Sequence, residues 1–158
     1  MEKYIIFCGY VGLKGSLKII ESRYDELVGY FNKIYLDSVA CHIRDRGYYG
    51  RYLSPINNDR PEIKPVDIDS IFAGFIGNME DVTEGGIIDT LYNFAMSHRC
   101  GFEIEMKKIP AVQICIEVCE YFGLNIYRLL TDGKLIMTDD PIADCQYLKD
   151  KGISAEII

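Results

Sequence analysis

The sequence predicts an α+β domain in which helices pack against a mixed β-sheet. Three observations point there. Short apolar runs rich in β-branched and aromatic residues, such as Tyr4–Cys8 and Ile153–Ile158, recur along the chain. Longer stretches with apolar residues every three or four positions lie between them, so the two kinds of segment are interleaved. Asp132-Gly133 joins two apolar runs, the pattern of a tight hairpin turn.

The bulk numbers are those of one globular domain, residues 1–158. Hydrophobic residues make up 49% of the chain and charged residues 26%. No composition shift or internal repeat divides it. Seventeen basic against twenty-four acidic residues give a net charge of −7. Without a Lys/Arg cluster, neither nucleic acid nor an anionic membrane is an expected partner. No charged-then-apolar leader opens the sequence, and no apolar run approaches the roughly 20 residues that span a bilayer, so the expected location is the cytoplasm. The six cysteines (Cys8, Cys41, Cys100, Cys115, Cys119, Cys145) are expected to be reduced core residues. Cys115 and Cys119 share a helix face, but His42 and His98 have no ligand-like spacing to them, so no zinc site is expected.

Taken in order, Lys3–Tyr10 reads as a buried strand. Gly9, Gly12, Gly15 and Ser16 follow as a glycine loop that could meet an anion, although it is neither the lysine phosphate loop nor the dinucleotide fingerprint. Ser16 to Phe31 is helical, with Ser16 placed to cap and Leu17, Ile20, Tyr24, Leu27, Val28 and Phe31 on one face. A second helix over Ile34–Arg46 puts Tyr35, Val39 and Ile43 on one face, with Gly47 ending it. The stretch 47–65 holds three of the five prolines and reads as a long loop. Its Tyr48, Tyr49, Arg51 and Tyr52 could stack on a ligand or anchor the loop. Ile71–Met79 reads as a strand leading to Asp81. Gly86–His98 is a helix burying Ile87, Leu91, Phe94 and Ala95, and Phe102–Glu105 is a short alternating strand. Ile109-Pro110 leads to a helix over Val112–Tyr121, stopped by Gly123. Ile126–Leu130 and Lys134–Thr138 are the arms of the hairpin. Asp140 caps a last helix that starts at Pro141 and ends at Gly152, before the closing strand Ile153–Ile158.

The candidate site is Asp81-Val82-Thr83-Glu84-Gly85-Gly86, two acids and a hydroxyl ahead of a glycine pair at a helix start. Helix-start N–H groups are unpaired and the helix dipole makes that end mildly positive, so a phosphate can sit there. Asp81 or Glu84 could hold a Mg²⁺ bridging to it. The same residues also serve a plainer purpose, with Asp81 or Thr83 as a cap and the glycines as a turn.

Five motifs in register then give a resemblance: IIFCGYVGLKGSLKII; Asp81 to Gly86; CGFEIEMKKIP; Cys119-Glu120 with Gly123; and Leu129, Gly133, Leu135 and Ile136. Together they resemble the C-terminal domain of the aminoimidazole ribonucleotide (AIR) synthase, or PurM-like, superfamily. That superfamily includes thiamine-monophosphate kinase, selenophosphate synthetase and the carbamoyl-dehydrating hydrogenase maturation factor. Residues 35–69 match only loosely. The resemblance implies helices against a mixed sheet, and an ATP-dependent chemistry in a cleft shared with an N-terminal domain. It makes Asp81 and Glu84 candidate Mg²⁺ ligands and Thr83 a phosphate contact, with the Gly85 and Gly86 N–H groups cradling an oxyanion. Gly12, Gly15 and Ser16 form a secondary glycine loop.

The N-terminal ATP-binding domain has no counterpart in this sequence, so the chain is not expected to turn over alone. ATP and Mg²⁺ are expected only with a partner domain. Three readings follow. The chain is a phosphate-, nucleotide- or small-metabolite-binding module, or one half of a split ATP-dependent enzyme completed by a separate N-terminal-domain protein, or a structural, homo-oligomerising protein with a vestigial site. The split-enzyme reading predicts an exposed apolar patch beside the helix that starts after Thr83.

Overall fold

The structure is a computed structural model that describes residues 2–46 and 65–158. The expected Gly47 stop and the Tyr48–Tyr52 cluster lie outside the described residues. A four-stranded sheet forms the centre, built from β1 (Tyr4–Gly9), β2 (Met79–Val82), β3 (Gly133–Thr138) and β4 (Ala155–Ile157) in the order β2-β3-β1-β4. The α+β class is the one expected, but the sheet is not the mixed one: all three described ladders are antiparallel.

Alternation along the strands divides the core in two. Ile5 and Phe7 of β1, Val82 of β2 and Leu135 and Met137 of β3 point to one face. There they pack under Ile87 and Phe94 of α5 (Gly86–His98). Ile6, Cys8 and Ile136 point to the other face. That face is covered by α4 (Pro65–Phe72) and α7 (Pro141–Asp150) through Ile71, Phe72, Cys145 and Leu148. A third cluster lies among helices alone: α1 (Leu13–Ser22), α2 (Tyr24–Leu27), α3 (Lys33–Arg46) and α6 (Gln113–Phe122). Apolar faces buried on both sides of a sheet and between helices are the main favourable term holding such a domain together.

Several elements match the expectation closely. Asp140 caps α7, its carboxylate accepting from the Ala143 N–H at 3.3 Å, with Pro141 in the first turn. Gly123 ends α6 in a left-handed conformation.

Others differ for identifiable reasons. The first helix begins at Leu13 and breaks at Arg23, so Ser16 is a buried helical residue and not the cap. In α3 the buried side chains are Leu36, Ala40 and Ile43, while Tyr35 is exposed. The apolar run expected as a strand over Ile71–Met79 is the end of α4 plus a 3-10 turn over Ala73–Phe75, with only Met79 in β2. A short apolar run does not distinguish a buried helix from a strand, because either can bury it. Residues 102–105 alternate in burial as expected but join no ladder among the described residues. The Asp132-Gly133 hairpin is absent. Gly133 is the first residue of β3, opposite Gly9 and Val82, and Ile126–Arg128 forms a 3-10 turn.

Candidate functional site

The site residues sit where β2 hands the chain to α5. Asp81 is in β2, opposite Lys134 of β3, and their side chains form an ion pair. Lys134 is mostly buried, only 14% of its side chain being exposed, and its ammonium lies 5.3 Å from the centre of the Phe72 ring. The Asp81 carboxylate, largely exposed, is therefore already held by a cation on the α4 side of the sheet. Its register partner was not foreseen because Lys134 reads simply as a polar position at the head of a strand.

Thr83 and Glu84 follow on the surface, both exposed. Neither side chain has a hydrogen-bond or ion-pair partner among the described residues. The Thr83 carbonyl is fully used: it accepts from the Gly86 N–H at 3.0 Å and from the Thr131 N–H at 3.4 Å. The Gly86 N–H is thus spent inside the turn, whereas the Gly85 N–H makes no such bond. Gly85 stands at the helix N-cap without a side-chain capping bond, so neither Asp81 nor Thr83 caps α5. A carboxylate of the chain itself approaches the helix start instead. Asp89, in the first turn, comes within 2.0 Å of where a Cβ on Gly85 would lie, and Arg128 reaches it at 3.8 Å. An acid in the first turn is favoured by the helix dipole.

A cleft of about 350 Å³ runs along the outer edge of β2, lined by Met79, Glu80, Asp81, Thr83, Thr90 and Asn93. It brings Asp81 and Thr83 together with Thr90 and Asn93, which the sequence did not single out. Thr90 is committed to the helix, its hydroxyl donating to the Gly86 carbonyl at 3.0 Å.

The second glycine motif meets the first on a shared strip of backbone. The strap, residues 126–131, passes between them. A Cβ on Gly86 would lie 2.5 Å from the Tyr127 carbonyl oxygen and 2.8 Å from that of Leu129. On the other side, a Cβ on Gly12 would lie 2.7 Å from Ile126 Cγ1 and one on Gly15 2.4 Å from Leu129 Cγ. Both Gly12 and Gly86 have positive φ, 68° and 72°, which costs a glycine nothing. The Gly12 N–H donates to Thr131 Oγ1 at 2.7 Å and the Gly15 N–H to the Leu130 carbonyl at 2.8 Å. The Thr131 hydroxyl in turn donates to the Leu129 carbonyl at 2.9 Å. The N–H groups of Gly12 and Gly15 are therefore taken up by the strap itself, one by the Thr131 hydroxyl and the other by the Leu130 carbonyl. Ser16 is fully buried, and among the described residues its Oγ makes no well-formed hydrogen bond. Its hydroxyl faces the Cys115 and Cys119 thiols and, as a weak donor, partly offsets the rise that burial gives their pKa.

Around Thr83 the surface is polar: Glu80, Asp81, Glu84, Asp89 and Arg128 are exposed. Large apolar side chains come to the surface of α5 only later, at Tyr92 and Met96. Among the described residues no group of three or more His, Cys, Asp or Glu is placed to hold a metal ion. No helix among them is long and apolar enough to cross a membrane.

No family model matches the chain. It is 33% identical over 88 residues to carbamoyl dehydratase HypE of Rhizobium leguminosarum bv. viciae, covering 54% of this chain and 25% of that protein. It is 27% identical over 89 residues to carbamoyl dehydratase HypE of Escherichia coli (strain K12), covering 51% and 26%. Among solved structures it superposes on HypE in a HypE-HypF complex with a TM-score of 0.63 at 20% identity, covering 99% of this chain and 45% of that one. The hydrogenase maturation protein HypE in complex with ATP gives 0.62 at 16% identity, covering 98% and 41%. AaThiL complexed with AMPPCP and TMP gives 0.56 at 16%, covering 100% and 44%. The chain thus spans under half the length of the solved structures it resembles.

Proposed function

We propose that this chain, which is related to the AIR synthase-like (PurM-like) superfamily and has the fold of its HypE and ThiL structures, is a phosphate- or nucleotide-binding module. Its contact edge is the Thr83–Gly85 turn at the start of α5. The observation that carries the reading is the unspent set of donors there: the Thr83 hydroxyl and the Gly85 N–H, at the positive end of a 13-residue helix with Arg128 nearby. Structures with the same fold in complex with ATP, or with AMPPCP and TMP, support a nucleotide as the ligand class.

Asp89 sets the condition for binding. Its carboxylate already lies over Gly85, so an incoming phosphate must turn it aside and take over Arg128. The side chains alone do not make a resident Mg²⁺ site. They do suit an ion that arrives on a nucleotide, since Mg²⁺ keeps several waters and needs only one or two carboxylates besides phosphate oxygens. Glu84 is the free carboxylate for that role. Asp81 can join only by giving up Lys134. A bound Mg²⁺ would neutralise phosphate charge there, while the chain itself supplies hydrogen bonds and the helix end. The Gly86 N–H and the Gly12–Gly15–Ser16 loop have no part in this reading.

Thermal unfolding with and without ATP and Mg²⁺ tests it. At a hundredfold excess over Kd a ligand adds about 2.7 kcal/mol, a shift of several degrees. Thr83→Ala is expected to lose most of that shift. Asp89→Asn, by removing the competing charge, should tighten binding about threefold. An unchanged melting temperature with ATP, inorganic phosphate and Mg²⁺ alike would reject the module and leave the structural, oligomerising reading.

A second reading rests on the span of the comparisons. Because the solved relatives are more than twice as long, a separate N-terminal-domain protein could complete an ATP-dependent enzyme. The polar surface around Thr83 does not supply the apolar patch that reading calls for, although Tyr92 and Met96 lie further along the same helix. ATP turnover appearing only on adding such a protein, and lost in Glu84→Gln, would establish it.

A further inference from the structure

The cleft along the outer edge of β2 continues from the Thr83–Gly85 turn and has a chemistry of its own. Alternation in β2 sends Val82 under α5 and Met79 towards the α4 side, so Glu80 lies on the α5 face and Asp81 on the other. On α5, Thr90 and Asn93 follow Gly86 at steps of four and three, which puts them on one face, and both line the cleft with Glu80. Glu80 and Asn93 are exposed, and neither side chain has a hydrogen-bond or ion-pair partner among the described residues. The Thr90 hydroxyl has already given its proton to the Gly86 carbonyl, so its oxygen can only accept. Asp81 is taken by Lys134. No Lys, Arg, His or aromatic side chain lines the cleft.

These groups select among ligands. A phosphate placed here finds no cation and meets the Glu80 charge. A quaternary ammonium lacks the aromatic face that holds such cations. A primary ammonium on Glu80 alone makes an exposed ion pair of little net value. A vicinal diol fits better. Each hydroxyl can donate to one carboxylate oxygen, and its own oxygen can accept from the Asn93 amide. Size agrees, since about 350 Å³ is small for a ligand site and suits a sugar ring better than a whole nucleotide.

Position ties that diol to the phosphate edge, because Thr83 lines the same cleft. Glu80 lies three residues before Thr83, roughly 10 Å at the rise of a strand. Asn93 lies seven residues beyond Gly86, roughly 10 Å at the rise of a helix. A sugar joined through a polyphosphate chain spans that distance.

We propose, resting on the reading that the Thr83–Gly85 turn binds phosphate, that the ligand is a ribonucleoside polyphosphate whose ribose lies in this cleft. Its 2′- and 3′-hydroxyls donate to the Glu80 carboxylate, and Asn93 donates to them in turn. Glu80 is then the residue that distinguishes a ribonucleotide from a bare polyphosphate.

The test is calorimetric titration of the full chain, in Mg²⁺, with ATP, 2′,3′-dideoxy-ATP and inorganic tripolyphosphate. ATP is expected to bind about tenfold more tightly than the dideoxy form, the worth of two exposed hydrogen bonds to a carboxylate. In Glu80→Ala, at an exposed position outside the core, that preference should vanish. Both nucleotides carry the same charge, so the general effect of losing an acid on phosphate affinity cancels in their ratio. Equal binding of the two nucleotides by the unaltered protein would overturn the proposal, as would a preference that survives in Glu80→Ala. In either case, tripolyphosphate binding that is weakened by Thr83→Ala would leave the phosphate edge standing. Failure of ATP and tripolyphosphate alike to bind would overturn both.

Discussion

Single residues divide here into those that need room and those that need to stay dry. Gly86 needs room. Its φ of 72° and the 2.5 Å from a notional Cβ to the Tyr127 carbonyl oxygen leave no place for a side chain. Gly86→Ala is therefore expected to cost more in urea unfolding than the roughly 1–2 kcal/mol that the left-handed backbone alone takes. A cost within that range would mean that the strap yields easily. Cys115 is the dry case. Burial, only partly opposed by Ser16, pushes its thiol up from 9.0 to about 12. Below pH 9.0 the thiol is protonated in both folded and unfolded chains, so its contribution to stability is intact. Above that value the unfolded chain releases the proton while the folded chain keeps it, and stability falls as the pH rises toward about 12. The fall in urea midpoint over that window should be shallower in Cys115→Ala, and an identical slope would contradict the assignment. The same burial, acting on Cys8 as well, makes these two thiols inert core residues; the sequence reading of all six cysteines as core residues fails at Cys41 and Cys100, which are exposed.

At the scale of elements, the strap decides the local architecture. Thr131 is its fastener: fully buried, it accepts from Gly12 and donates to Leu129. Thr131→Val keeps the shape but strands the Gly12 N–H and the Leu129 carbonyl, an expected loss of about 2 kcal/mol. A loss under half of that in urea unfolding would mean that water replaces the hydroxyl. The sequence was legible wherever one element's own pattern was enough, as in β1, the Gly123 stop of α6, or Asp140 and Pro141 opening α7. It was not legible where a distant segment decides. Asp132-Gly133 has the composition of a hairpin turn, yet Gly133 pairs across to Gly9 and Val82, residues far away in the chain. Likewise nothing near Gly12 in sequence announces Thr131, which lies 119 residues on.

For the molecule as a whole, five weak motifs that kept their order made the AIR synthase-like fold readable, and the superposition on HypE and ThiL shows that fold. The motifs said less about what their residues do. Asp81 is engaged with Lys134, and Gly86 spends its N–H within its own turn. The strap held between Gly12, Gly15 and Gly86 bears on how a comprehensive variant library of this protein would look. Those glycines and Thr131 would emerge as a block that tolerates almost nothing, the profile usually taken as the outline of an active site. A screen scored on abundance alone would return the same block. The difference between the abundance and binding maps, rather than either map by itself, would then isolate Thr83, Glu84 and Asp89.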